Sequence, residues 1–212
     1  MKLDVKTVES FNFYMKRYRG LYRDLALSID RLVSKTTTSN IVDLGAGPGL
    51  LVRELQDILP FVRVIALDPS ILMLKSAEEN IIRKGYLVLS RGEYIPLCDS
   101  SVDIVVSRFT LPYWSDTSKV LGEIYRIVKP NGKIVIDALN ASYPSWKLFF
   151  IKINMLFKRT PKSVIDYHID AYKNAYTVEQ LKDKLMDHGF KIMDIIDRGW
   201  FYRITAEKPK VF

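Results

Sequence analysis

Three glycines two residues apart, Gly45, Gly47 and Gly49, follow directly on the apolar run Asn40–Leu44, and a helical pattern starts at Leu50. Glycines at such a point let backbone N–H groups approach a ligand closely and turn a strand sharply into a helix. A dinucleotide-binding turn would want its third small residue one position later, at Leu50. A phosphate loop would want Gly-Lys-Ser/Thr after four spacer residues, and none is present. Asp43, two residues before the first glycine, is required by neither pattern. Asp68 closes the next apolar run, Val62–Leu67. A carboxylate at that place can accept hydrogen bonds from both hydroxyls of a ribose. Its other reading is a helix-capping role before Pro69-Ser70.

The elements that would position these residues alternate. Phe11, Tyr14, Tyr18, Tyr22, Leu25, Ile29 and Leu32 recur at helical spacing and predict one helix over 7–35, followed by a polar linker at 35–39. Strands are expected at 40–44, 62–67, 87–89, 102–106 and 133–139. Helices are expected from Leu50 to before Pro60, from an N-cap at Ser70 to about Lys84 with Gly85 as the stop, and near 118–128 before a turn at Pro130-Asn131-Gly132. Residues 141–176 break the alternation. Thr177 and Gln180 then form a capping-box start to a helix stopping at Gly189, and 190–196 and 200–206 read as two strands with a short turn between them. Such alternation implies a mostly parallel sheet with helices on both faces, its last two strands antiparallel neighbours at one edge. Ligands of such sheets sit at the carboxyl ends of the strands, where the glycine turn, Asp68, Gly92-Glu93 and Ser107-Arg108 all fall.

The 212 residues suffice for one well-packed domain, and 48% apolar with 26% charged residues are the proportions of a globular protein. Cys98 is the single cysteine, so no internal disulfide framework is possible. With no apolar N-terminal stretch in view and no membrane-length apolar run, the expectation is a cytoplasmic protein. Two histidines, His168 and His188, are too few to suggest zinc, and no metal is expected. The net charge of +8 is uneven: residues 1–35 carry 8 Lys/Arg against 4 Asp/Glu, and 141–176 carry 6 against 2. Residues 36–140 between them are close to neutral.

The stretch Ile41-Val42-Asp43-Leu44-Gly45-Ala46-Gly47-Pro48-Gly49 resembles motif I of the class I S-adenosylmethionine (SAM) methyltransferases. The resemblance continues through Arg91–Leu97, Asp99–Val105 and Leu121–Lys133, and more loosely through Tyr176–Leu181 and His188-Gly189-Phe190. It is similar to the small-molecule "type 11" group. It implies a Rossmann-like α/β fold: a mostly parallel seven-stranded sheet with an antiparallel edge strand and helices on both faces. It implies a single domain over 1–212, decorated by an N-terminal helical cap at 1–35 and a lid insertion at 141–176. It implies S-adenosyl-L-methionine as cofactor, held by Asp43, Gly45, Ala46, Gly47, Gly49, Asp68, Pro69, Gly92, Glu93, Ser107, Arg108 and Tyr18. In one place the chain departs from the family. Arg91 stands where an Asp usually accepts from the adenine amino group, and a guanidinium accepts nothing. Adenine recognition then falls to the backbone of Gly92 and Glu93, with the Glu93 side chain as an added candidate. The run Phe11–Arg19 loosely matches the family segment that covers the methionine end of the cofactor, with Asn12 and Arg19 in place of acids.

Methyl transfer rests on holding nucleophile and methyl in line and excluding water, and an acidic nucleophile needs a base as well. His168 is the candidate base, with surface or lid packing as its other reading; Tyr113, Tyr143, Tyr172 and Tyr176 are candidates for orienting an acceptor. The run Trp146–Arg159 is unusually apolar for an exposed lid. It is open to three readings: a pocket lining for an apolar acceptor, peripheral contact with a membrane, or a helix packed on the N-terminal one. The expected activity is methyl transfer to a small-molecule or lipid-like acceptor, with a basic roof that favours an anionic acceptor or surface. A nucleic-acid methyltransferase is the second reading, raised by the pI of about 9.4; Ser107–Tyr113 stands where an Asn/Asp-Pro-Pro-Tyr/Phe signature would be, and no RNA-binding module is visible. A non-catalytic SAM-binding regulator is the third.

Overall fold

A computed structural model describes residues 4–33, 38–83, 85–157 and 160–210; the side chains of residues 163, 167 and 168 also lie outside the description. Near-continuous apolar runs form the five parallel strands: β1 (Asn40–Leu44), β2 (Arg63–Asp68), β3 (Tyr86–Leu89), β4 (Val102–Arg108) and β5 (Val128–Leu139). Strands buried on both faces require such runs. Alternate residues serve opposite sides: Ile41 packs toward one cluster, Val42 and Leu44 toward the other. The sheet order is β3-β2-β1-β4-β5-β7-β6, with β6 (Lys191–Asp197) at the edge and β7 (Phe201–Glu207) antiparallel to both its neighbours. The order reverses between β1 and β4.

Helices cover both faces. On one side α2 (Arg19–Asp30) and α3 (Leu50–Ile58) bury Leu25, Ala26, Ile29, Leu51 and Leu55. On the other, α5 (Thr117–Ile127) and α8 (Val178–Asp187) bury Leu121, Ile124, Leu181 and Leu185. The capping box expected at Thr177 and Gln180 is formed. A third, smaller cluster joins α1 (Val5–Lys16), α6 (Ser145–Phe157) and α7 (Lys162–Lys173) through Tyr14, Met155, Val164 and Ile165.

Three boundaries differ from expectation. The N-terminal helix breaks at Arg17-Tyr18, where Tyr18 has φ −104° and ψ 23° and carries no side-chain cap. The polar linker at 35–39 lies largely outside the described residues. The helix after Ser70, α4 (Ile71–Asn80), ends well before Gly85. Gln56 on α3 captures the chain there: its Oε1 accepts from Ile82 and Arg83 N–H, and its Nε2 donates to the Arg83 carbonyl. The turn at Pro130-Asn131-Gly132 is folded into β5 as an irregularity, with Asn131 at φ +62° and its N–H donating to the Lys208 carbonyl.

Because one side chain supplies all three of those bonds, Gln56→Met should cost about 0.5–1.5 kcal/mol per bond lost, the net scale of a hydrogen bond. Urea unfolding measures it; an unchanged midpoint would mean the 81–83 backbone finds water instead.

Candidate functional site

The glycine turn is pinned from below. Gly45 and Ala46 both donate to the Leu67 carbonyl, at 2.7 and 3.1 Å. Asp68 holds it from the side, accepting from Gly47 N–H at 2.9 Å and from Ser70 N–H at 2.8 Å. Pro69 lies between that carboxylate and the α4 N-cap, Ser70. The glycines divide their labour. A Cβ on Gly45 (φ +77°) would meet Thr110 Cγ2 at 2.2 Å, and one on Gly49 (φ +74°) would meet Ala77 Cβ at 2.9 Å. A Cβ on Gly47 (φ +52°) would meet nothing within 4 Å. Gly45 and Gly49 are there for packing, while Gly47 presents open backbone.

A polar layer crosses the sheet at the same end. Arg108, Asp137 and Arg203 are register partners on β4, β5 and β7. Asp137 is fully buried and bonded to both guanidinium groups, to Arg203 Nε at 2.6 Å and directly to Arg108. Asp24 on α2 adds a second carboxylate to Arg203 at 3.2 Å. Arg108 keeps Nε and Nη2 buried and without a hydrogen-bond partner, its guanidinium 5.1 Å from the Tyr22 ring and 4.3 Å from that of Phe109. Asp43 lies on β1 in the neighbouring row, and its Oδ2 is likewise buried and unpartnered. Burial and the nearby Asp68 push the Asp43 carboxyl up to about 8, against the pull of Arg108. Burial also raises Asp68, opposed by its bonds from Ser70 and Gly47. Ser107 donates to the Leu44 carbonyl at 2.9 Å, tying β4 to β1 where the strand order reverses.

The N-terminal helix is tied to this turn by an amide chain. Asn12 donates to Ser76 Oγ and accepts from Asn80, and Asn80 donates on to the Pro48 carbonyl at 2.8 Å. The Asn that replaces an acid in the loose N-terminal match thus becomes a structural hinge pin between α1, α4 and the turn. Glu93 is also committed locally: its Oε1 accepts from Ser115 N–H and Oγ at 2.8 and 2.7 Å. Burial opposes its ionisation, yet the bonds from Ser115 and Asp116 hold it below the usual carboxylate range. Its side chain therefore secures the loop before α5, and the exposed Arg91 approaches its other oxygen at 3.7 Å. Gly92 packs against Val120.

Just past the end of β4, at Phe109, lies a cavity of about 620 Å³, walled also by Tyr14, Met15, Tyr18, Leu21, Tyr143, Trp146, Lys147, Phe150, Ile151, Asn154, Met155 and Trp200. Seven of these are aromatic, and the described side chains of the lining include no carboxylate or imidazole. Phe109 reaches it from a left-handed backbone conformation, φ +57°, and stacks on Trp200 and Phe201 at 5.4 and 5.6 Å. A bulky residue held at positive φ is costly and marks a place where the surroundings dictate the conformation. Tyr18 takes a hydrogen bond from Tyr14 at 3.0 Å, and burial raises the Tyr14 hydroxyl further above its ordinary value. Of the four tyrosines expected to orient an acceptor, Tyr143 is in the cavity. Tyr172 instead donates to the Trp200 carbonyl, Tyr176 meets Thr117, and Tyr113 sits in the short turn after β4. His168 is on α7, but its side chain lies outside the described residues. Sequence reasoning missed Phe109 and Trp200; their positions just after β4 and just before β7 are the signal they carried.

Asp43 yields a pH test on the ligand-free protein. A folded-state value near 8, well above an unfolded carboxyl near 4, means the folded protein keeps a proton that the unfolded chain releases. Stability is then lost as pH rises from about 4 to about 8, by up to ~1.4 kcal/mol per unit. Asp43→Asn removes that loss, so its advantage over wild type should grow across this window and level off above it. A pH-independent difference in urea unfolding would show that Asp43 is ionised in the fold.

A family profile described as "Methyltransferase domain" matches residues 42–136. The demethylmenaquinone methyltransferase of Thermotoga maritima is 26% identical over 201 residues, 86% of each chain. That of Lactobacillus johnsonii is 32% identical over 165 residues, 71% of this chain and 67% of the relative. A solved structure from Methanococcus maripaludis, assigned to the S-adenosyl-L-methionine-dependent methyltransferases, superimposes with a TM-score of 0.76 at 25% identity, covering 100% of this chain and 96% of the other. The seven-stranded sheet, the glycine turn at its switch point and these likenesses converge: the chain belongs to the class I SAM-dependent methyltransferases of the type 11 group, enzymes that use S-adenosyl-L-methionine as cofactor.

Proposed function

We propose that this enzyme methylates an apolar, ring-bearing or lipid-like acceptor whose nucleophile is already anionic at neutral pH. The observation that carries it is the cavity past the end of β4. Its aromatic walls suit a flat apolar molecule. Among the described side chains its lining offers none that could serve as a base near neutrality, because a phenol raised by burial holds its proton. An acceptor that brings its own negative charge, such as an acidic enol, phenol or carboxylate, needs no base. Lys147 at the rim, with Nζ 5.3 Å from the Trp146 ring, would attract that charge. Two relatives are named for methylation of demethylmenaquinone, a reading compatible with such a cavity.

The cofactor fits the residues present. When bound, it supplies a methyl group on a positively charged sulfur. Gly47 offers open backbone where a Cβ would intrude on a ligand. Asp43 Oδ2 is a buried acceptor in want of a donor, suited to a cationic ligand that would favour its ionised form. Arg108 Nε and Nη2 are donors in want of an acceptor, suited to a ligand carboxylate. Asp68 retains lone pairs beyond its two backbone bonds, enough to take ribose hydroxyls. With Glu93 engaged and Arg91 unable to accept, the adenine amino group is left to backbone carbonyls. Tyr18, Phe109 and Trp200 line the cavity, where they would exclude water and fix the approach of the acceptor.

Calorimetry with SAM tests the cofactor half. Asp68→Ala should weaken binding by about 1.5–3 kcal/mol, the scale of hydrogen bonds to a charged group. Gly47→Ala should leave a folded protein, since its Cβ meets no neighbour, yet lose most SAM affinity. Normal affinity in a folded Gly47→Ala protein would make the turn structural only.

The acceptor half is tested by Trp200→Ala. It should lower transfer to an apolar ring acceptor by roughly tenfold or more while leaving SAM affinity near wild type. Unchanged transfer would remove the cavity from the acceptor's path.

A further inference from the structure

The outer face of α6 is out of keeping with a protein surface in water. Ile151 and Met155 of this helix pack inward with Tyr14, Val164 and Ile165. At about 3.6 residues per turn, Trp146, Phe149, Phe150, Ile153, Leu156 and Phe157 fall on the opposite side, within an arc of roughly 120°. Five of these six side chains are exposed, Phe157 by 83%. A helix apolar on both faces is buried in something. Lys147 and Lys152 stand at the two borders of the stripe, and the sequence from Ala141 to Ile165 contains no Asp or Glu. Exposed aromatics between flanking lysines, on a helix that carries no carboxylate, are complementary to a lipid interface of negative charge.

The stripe also meets the cavity. Trp146 and Phe150 belong both to the outer face and to the cavity wall. We propose that α6 docks this enzyme on an anionic lipid bilayer, with Phe149, Leu156 and Phe157 in the acyl boundary and Lys147 and Lys152 at the headgroups. The mouth of the cavity then opens against the bilayer, and an apolar acceptor enters from lipid without crossing water. This rests on the apolar-acceptor reading above. No helix among the described residues is long and apolar enough to cross a membrane. The contact is therefore peripheral and reversible.

Flotation with vesicles tests it, using phosphatidylcholine alone or mixed with phosphatidylglycerol, alongside SAM calorimetry on the same proteins. Wild type should bind the mixed vesicles roughly fivefold or more tightly per engaged lysine than the neutral ones, and lose that excess as salt rises. The double variant Phe149→Gln, Phe157→Gln should bind mixed vesicles roughly tenfold more weakly with SAM affinity unchanged, neither residue lying in the cavity wall. Lys152→Gln should lose about fivefold at low salt only. Tryptophan fluorescence quenched by brominated lipid in wild type, and much less so in Trp146→Phe, would place the stripe in the acyl boundary. Equal binding to neutral and mixed vesicles, or mixed-vesicle binding untouched by the double variant, overturns the proposal. So does a concentration-dependent dimer in sedimentation that the double variant dissolves, because a second copy would then cover the face. Failure of the wild type to bind mixed vesicles while it still binds SAM overturns the docking surface alone; absence of SAM binding in wild type condemns the underlying reading.

Discussion

A buried carboxylate between two guanidinium groups is the constraint on which the site depends. Asp137 can sit at zero exposure in the sheet only because Arg108 and Arg203 flank it in register on both sides. Such a triad is a poor source of net stability, since three charges are desolvated to make it, yet removing one member strands the others. Its value here is positional. It fixes Arg108 at the end of β4 with two donors unspent, near enough to Asp43 on β1 to oppose the rise that burial gives its carboxyl. It also sets the path of Phe109, whose N–H donates to the Asp137 carbonyl at 2.8 Å and whose ring turns into the cavity from a strained backbone.

The molecule thus places two unlike environments side by side. At the strand ends are unspent polar groups and open glycine backbone; past Phe109 is an aromatic cavity whose described lining includes no carboxylate or imidazole. A charged cofactor and an apolar acceptor would each find its own solvent. The walls of the cavity come from α1, α6 and the loops after β4 and before β7, and the two helices pack on one another through a small cluster separate from the sheet's two cores. Fewer buried contacts hold that roof, which is where acceptor selection can vary without disturbing the sheet.

The sheet and the glycine turn were legible in the sequence because both depend on local pattern. Buried parallel strands need unbroken apolar runs, and a turn that must reach positive φ three times needs glycine. What failed were features decided by distant partners. The helix over 7–35 breaks at Tyr18, in the segment where Tyr14, Tyr18 and their neighbours pack against α6 and α7. The helix after Ser70 ends early because Gln56, far away in sequence, takes the next two N–H groups. Glu93 reads as a ligand-facing acid, and the fold adds what the sequence does not show: its Oε1 accepts from Ser115 and Asp116. The cavity was legible in part, through Tyr143 and the run from Trp146, but Phe109 and Trp200 come from separate stretches and look like ordinary core. The apolar run from Trp146 was legible as unusual, and only the packing of Ile151 and Met155 reveals which face stays uncovered.

The central claim is that the methyl group goes to an apolar molecule. The most direct measurement supplies the enzyme with methyl-labelled SAM and, separately, the organic-phase lipid extract and the aqueous metabolite fraction of cells. The account predicts label in a product that partitions into organic solvent, formed from the lipid extract and lost in Trp200→Ala. Label appearing solely in water-soluble product from the aqueous fraction would contradict it.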